Sequence, residues 1–222
     1  MVKPLNELQD IIGYKFKDEN LLRVALTHSS TNTNFNYERL EFLGDRVLGL
    51  VIAALLFEKF PDEKEGDLAK RLSALVQGET LAKLAIRISL GDYIFFSEAE
   101  ASAGGAENAH ILADVFESVI GAMYLEGGLN PCSDLIASQW EEVLYTMKKP
   151  PQHPKTAIQE WAQGQSLPLP EYVVSNQSGP DHAPVFEVKL CVRGYDPVIA
   201  SGKSRAEAEK NAAQEFMKGL KK

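Results

Sequence analysis

Cysteine is scarce in this 222-residue chain: two residues, Cys132 and Cys191, lie far apart with neither a Cys-x-x-Cys spacing nor a partnering histidine. That excludes a disulfide framework and a Cys/His zinc site, and both thiols are expected to be small buried hydrophobes. Long apolar runs are missing too. The longest, Val47 to Phe57, stops well short of the roughly 18 residues that a membrane span needs and is flanked by charges. The N-terminal Met-Val-Lys-Pro-Leu-Asn-Glu carries no apolar signal segment, so the mature protein is expected to begin about there and to be cytoplasmic. No internal repeat or low-complexity tract interrupts the pattern. What is present is ordinary globular composition, 45% hydrophobic, enough for one large core or two smaller ones.

The net charge of −8 speaks at first against a polyanionic partner, since nucleic-acid binding relies on cations that neutralise phosphate. The average conceals an asymmetry. Lys plus Arg less Asp plus Glu gives 14 − 23 = −9 for residues 1–150 and 9 − 8 = +1 for residues 151–222. An acidic larger half is thus joined to a smaller half without acidic excess, as suits a metal-loaded acidic site tethered to a binding module.

The join is legible at Met147-Lys-Lys-Pro-Pro-Gln-His-Pro154, where three prolines cannot continue a helix and favour an extended linker. Before it, helical periodicity predicts helices over 5–12, 20–27, 37–60, 67–90, 110–125 and 134–147, separated by breakers at Pro61, Gly91, Gly104-Gly105 and Gly127-Gly128. After it come a helix over 156–165, strands over 171–176, 185–193 and 197–200, and a helix over 204–220. Ser204 is its expected N-cap, with Glu207 completing a capping box. The fold class is therefore all-α followed by a small α+β domain in the order α-β-β-β-α, with no small-molecule cofactor and no membrane partner implied.

Chemistry concentrates in two apolar helices that carry acids. Glu38, Glu41 and Asp45 are spaced i, i+3, i+7 and share a face of the helix running into Val47–Phe57, which is expected to be largely buried. Asp114 and Glu117 repeat the pattern within Ile111–Tyr124, a segment without Lys or Arg. Unpartnered buried carboxylates cost several kcal/mol, so cations are the expected compensation. Two such helices packed together would converge hard oxygen ligands of the kind Mg2+ or Mn2+ prefers. The Glu-x-x-His pairs of di-iron bundles are missing, which favours phosphoryl over oxygen chemistry.

Tyr37-Glu-Arg-Leu-Glu-Phe-Leu-Gly-Asp45 resembles the signature of the ribonuclease III family. Ile12–Phe16, Leu21-Leu22, Ala25–Ser29, Glu65–Leu68, Ile111–Glu117 and Gly127-Gly128 agree in order. The resemblance implies a homodimeric, Mg2+-dependent endonuclease that cuts both strands of double-stranded RNA and leaves 5′-phosphate and 3′-hydroxyl ends, with roles in processing ribosomal precursor and other structured RNAs. It implies metal ligation by Glu41, Asp45, Asp114 and Glu117, with Asp45 and Glu117 catalytic. Glu38 and Glu65 are implied as accessory acids near the scissile bond, and Phe42 as a dimer contact, although Phe42 reads equally well as core. His28 and His110 are expected to be structural or surface residues.

Residues 154–222 resemble a double-stranded-RNA-binding domain, giving the division 3–147, linker 148–153 and 154–222. Such domains read A-form shape through ribose hydroxyls and phosphates. The resemblance implies RNA contacts from Thr156, Gln159, Glu160, His182, Lys203, Arg205 and Lys210, the last three about a helix N-terminus whose dipole favours phosphate. Ala206 and Glu209 stand where more basic relatives carry Lys or Arg, so weak binding by this domain alone is expected, and Trp161 is expected in its core. Two other readings compete: a silent scaffold that binds duplex RNA without cutting, and a phosphohydrolase of small nucleotides.

Overall fold

Apolar periodicity sets which faces meet in the computed structural model, which describes residues 2–180 and 183–220. The chain divides into two units, Met1–Pro151 and Gln152–Lys222. Among the described residues the first holds α1 (Leu5–Ile12), α2 (Glu19–Ala25), α3 (Glu38–Lys59), α4 (Glu65–Leu75), α5 (Gly78–Arg87), α6 (Glu98–Ser102), α7 (Ala109–Gly127) and α8 (Leu129–Thr146). α7 is apolar almost all round, with Ile111, Leu112, Val115, Phe116, Val119, Ile120 and Met123 buried, so it forms the axis of the core. α3 lays Leu40, Leu48, Val51, Ile52 and Leu56 against that axis. Trp140 of α8 is fully buried, stacks on Phe116 at 5.7 Å and donates its indole N–H to the Leu75 carbonyl at 2.9 Å. Such burial contributes on the order of 1.5–3 kcal/mol for a large apolar side chain.

Several expectations need correction. The single helix predicted over 67–90 is two, because Gln77 adopts extended backbone angles and Gly78 opens α5; the Thr80 hydroxyl donates to the Ala74 carbonyl across this break at 2.8 Å. α6 falls outside the predicted helices, although Ser97 caps it by accepting from the Glu100 N–H. α8 starts five residues before the predicted Asp134, since Pro131 falls in its first turn, where a missing N–H costs nothing. α3 is not largely buried either: Phe42, Leu50 and Phe57 are 67%, 59% and 74% exposed along one face.

The second unit comprises α9 (Pro154–Gly164), β1 (Glu171–Ser178), β2 (Val185–Cys191), β3 (Val198–Gly202) and α10 (Arg205–Gly219). The strands form an antiparallel sheet in the order β1-β2-β3, with Tyr172 opposite Leu190, Val188 opposite Ala200, and a register shift between Val174 and Asn176. Ile158, Leu190, Val192, Ala212, Ala213 and Phe216 make the core, and the partly buried Trp161 packs edge-on against Phe216. Cys132 is buried but Cys191, at the end of β2, is only half-buried, contrary to expectation. Among the described residues no helix is long and apolar enough to cross a membrane.

Candidate metal centre and duplex-binding module

The acids of α3 and α7 are brought together by two glycines. A Cβ on Gly44 would lie 1.7 Å from the Glu117 carbonyl oxygen, and one on Gly121 would lie 2.2 Å from that of Leu40. The helices therefore cross backbone to backbone, which no other residue permits at these positions. Gly44 separates Glu41 from Asp45 and faces Glu117, so the closest approach of the helices falls amid the acids.

Electrostatics record the result. Burial, then Glu41 and Asp114, push the Glu117 carboxyl up to about 7, with Arg46 a partial offset. Glu41 is raised by burial, by Asp114 and by Glu38. Asp114 is raised by burial, against which His110, His28 and a hydrogen bond from Tyr37 work. Tyr37 is itself buried, and its hydroxyl is pushed up to about 12 by burial and by Asp114, Glu41 and Glu38, so it remains a donor. Sequence reasoning missed Tyr37; its position at the head of the Tyr37–Asp45 block was the available signal.

Glu38 is held by Asn36, whose amide donates to its carboxylate at 3.1 Å and whose carbonyl accepts its backbone N–H at 3.1 Å. Asp45 pairs with Arg46. Glu65 is exposed at the first position of α4, with no hydrogen bond or ion pair to the four acids among the described residues. His28 is buried, stacked on Tyr37 at 5.6 Å, with Nδ1 accepting the Ser30 N–H, whereas His110 is exposed. Among the described residues no three carboxylates, histidines or cysteines form a finished cage for an ion. The arrangement is an open constellation of mutually repelling carboxylates. A divalent cation fits its donor chemistry, because hard oxygens with raised proton affinity at a half-buried helix crossing are the groups such a cation stabilises.

In the second unit, Thr156, Gln159 and Glu160 are exposed along α9, where i, i+3, i+4 spacing gives them one face. Lys203, Arg205 and Lys210 are exposed about the start of α10. Ser204 caps that helix by accepting the Glu207 N–H at 3.2 Å, but the Glu207 carboxylate reaches the N–H of Lys203, one residue beyond the expected capping-box partner. His182 lies outside the described residues. Glu209 is not a surface charge: its side chain is 10% exposed, accepts from Lys155 Nζ at 2.5 Å and from Arg205 Nε at 2.8 Å.

An acidic helical unit followed by an α-β-β-β-α unit with a basic helix start is the architecture expected of a two-domain nuclease. Family comparisons agree: residues 18–142 match the model described as ribonuclease-III-like, and residues 154–220 match the double-stranded RNA binding motif. The chain is 47% identical over 212 residues to a protein named Ribonuclease 3 from Ehrlichia ruminantium (strain Welgevonden), covering 94% of this chain and 93% of the relative. It is 46% identical over 221 residues to a Ribonuclease 3 from Caulobacter vibrioides (strain NA1000 / CB15N), covering 97% and 96%. Among solved structures, the nuclease domain of ribonuclease III from Campylobacter jejuni superposes with a TM-score of 0.61 at 45% identity, covering 63% of this chain and 97% of that domain. That structure is described as showing flexibility in the region of the domain involved in dimer formation. The chain belongs to the ribonuclease III family.

Proposed function

We propose that this protein hydrolyses phosphodiester bonds in double-stranded RNA, leaving 5′-phosphate and 3′-hydroxyl ends, with Mg2+, or Mn2+ in its place, held by Glu41, Asp45, Asp114 and Glu117. The observation that carries the reading is the Gly44–Gly121 crossing, which brings Glu41, Asp114 and Glu117 within electrostatic reach of one another, next to Asp45. A divalent ion bound there would supply the charge that activates water, polarises the scissile phosphate and stabilises the leaving 3′-oxygen. The chain's own groups prepare the place. Tyr37 steadies Asp114, Asn36 orients Glu38, and partial burial raises the proton affinity of Glu41 and Glu117. Glu38 and Glu65 act as accessory acids flanking the scissile bond in this scheme.

The division of labour is a nuclease domain over 3–147, a linker over 148–153 and a duplex-binding domain over 154–222. α9 offers Thr156, Gln159 and Glu160 to ribose hydroxyls, while Lys203, Arg205 and Lys210 meet phosphate. His182 belongs to this proposal by family resemblance. The exposed Phe42–Leu50–Phe57 face of α3 is the contact with a second copy of the chain, because an apolar stripe of this kind seldom stays bare. Processing of structured cellular RNA in the cytoplasm is the setting this implies.

Glu117→Gln tests the assignment, since it removes one charge and nearly preserves shape. In Mg2+, cleavage of labelled duplex RNA should fall on the order of a thousandfold or more, while gel-shift binding of the duplex persists. Near-normal cleavage would remove Glu117 from the metal site. Wild-type protein that binds the duplex and cuts neither strand would be the silent scaffold, and cleavage confined to nucleotides would be the small-substrate phosphohydrolase.

A further inference from the structure

Glu209 is an acid in the part of the molecule assigned to a polyanion, and from its place in the sequence it is expected to weaken binding. Its surroundings point the other way. It sits one turn into α10 among the buried Ala208, Ala212 and Ala213 and is itself 8% exposed. One carboxylate oxygen accepts from Lys155, the second residue of α9, and the other accepts from Arg205, the first residue of α10. These bonds hold its carboxyl below the usual range despite burial, the Lys155 bond contributing most. Lys155 also lies 5.0 Å from the centre of the Tyr172 ring on β1, so it is gripped from two sides.

The clasp has a direction. Arg205 spends its Nε on Glu209, and among the described residues neither of its terminal nitrogens has a hydrogen-bond partner. A planar guanidinium held at Nε has both terminal nitrogens left to present together, the fork that suits a phosphate. Lys155 retains two of its three donors. The starts of α9 and α10, each the positive end of a helix dipole, are tied together by the same carboxylate. Thr156 follows Lys155 directly, so the ribose-reading face of α9 is referenced through Lys155 and Glu209 to the phosphate-facing start of α10.

We infer that Glu209 is a positioning residue for duplex RNA: it fixes the spacing between the α9 face and the α10 N-terminus, aims the Arg205 fork outward, and makes Lys155 a further phosphate-binding residue. This inference rests on the duplex-RNA reading above. A double-stranded A-form backbone is the ligand chemistry because two cationic points held at one spacing, beside hydroxyl-reading polar groups, match a rigid phosphate array rather than a single ion.

The test uses the full chain and a blunt RNA duplex with divalent metal chelated, so that binding is read apart from cleavage, over a salt series. Glu209→Gln keeps the shape and an acceptor oxygen but releases the two cations. Duplex affinity should fall about tenfold, and the slope of log affinity against log salt should shrink by about one for each phosphate that is no longer neutralised. Lys155→Met, which leaves Glu209 paired with Arg205, should weaken binding similarly. The double variant should be weaker than either single by much less than the product of the two effects, because both break one clasp. Tighter binding with a steeper slope in Glu209→Gln would mean that Glu209 masks cations, and would overturn the inference. So would unchanged affinity and slope, with or without a lower melting temperature, which would make the clasp merely structural. Failure of the wild-type chain to bind the duplex would instead overturn the duplex-RNA reading beneath it.

Discussion

Gly44→Ala is a severe test of how the site is built, because two well-founded effects oppose each other. Within a helix, alanine is favoured over glycine by up to about 1 kcal/mol. The crossing argues the reverse: the new Cβ would lie 1.7 Å from the Glu117 carbonyl oxygen and 2.5 Å from its carbonyl carbon, whereas ordinary contact begins near 3.4 Å. Those are backbone atoms of α7, held by helix hydrogen bonds, and cannot turn aside as a flexible side chain would. The helices must part by roughly the difference, loosening Leu40, Leu48 and Val51 from the α7 axis. Overpacking of this kind costs about 1–3 kcal/mol, and more where the backbone resists. Gly66→Ala in α4 is the control, since nothing lies within 4 Å of its added Cβ. The expected outcome is a melting temperature several degrees lower for Gly44→Ala and unchanged or slightly higher for Gly66→Ala. Calorimetry should also show weaker Mg2+ binding by Gly44→Ala, as the acids separate. Wild-type melting together with wild-type Mg2+ affinity would show that the crossing is neither tight nor needed.

Two further outcomes follow from the same features. The folded protein holds the Glu117 proton up to about pH 7 while the unfolded chain releases it near 4.5, so metal-free protein binds more protons when folded and should lose stability as pH rises through that window. Melting in a chelator should show this fall, shared by the raised Glu41 and Asp114, and Glu117→Gln should flatten it; parallel wild-type and variant profiles would refute it. Leu50→Glu, placing a charge in the middle of the exposed α3 stripe, should convert a dimer to a folded monomer by sedimentation, and a dimer of unchanged affinity would put the subunit contact elsewhere.

What the sequence revealed and what it hid divide along physical lines. α7 was legible because its apolar residues leave no polar face, and the acids within it stood out against that background. The outward face of α3 was hidden because Phe42, Leu50 and Phe57 are residue types that also fill cores, and only coordinates separate a stripe facing solvent from one facing α7. The break at Gln77 was hidden because apolar residues return at helical spacing beyond it, with Leu81, Ala82, Leu84 and Ala85 buried in α5. Glu209 is misleading in sequence for a related reason: its partners are one turn away and 54 residues away, and spacing reports only the nearer. Gly44 was visible as a letter of the Tyr37–Asp45 block, but the reason for it, a carbonyl of another helix, belongs to packing alone.

The chain's handling of buried charge in other places sharpens the meaning of the acids at the crossing. Arg71 is 1% exposed, yet each of its nitrogens is partnered: Nε and one terminal nitrogen grip the Glu63 carboxylate at 2.7 and 2.6 Å, the other terminal nitrogen donates to the Met147 carbonyl at 2.6 Å, and its guanidinium lies 3.7 Å from the centre of the Phe60 ring. Glu63 is held below the usual carboxylate range by that contact, and Glu209 is held below it by Lys155 and Arg205. Where this sequence sequesters an ion for structural reasons, it supplies counter-charges and hydrogen bonds, as the cost of desolvation demands. Glu41, Asp114 and Glu117 are treated oppositely: each is pushed upward, and two of the three are pushed further by the others. The fold meets the cost of burial at Arg71 and Glu209 with full counter-charges, whereas between α3 and α7 it offers only the partial offsets of Tyr37, His28, His110 and Arg46, and the proposed divalent cation would supply the rest.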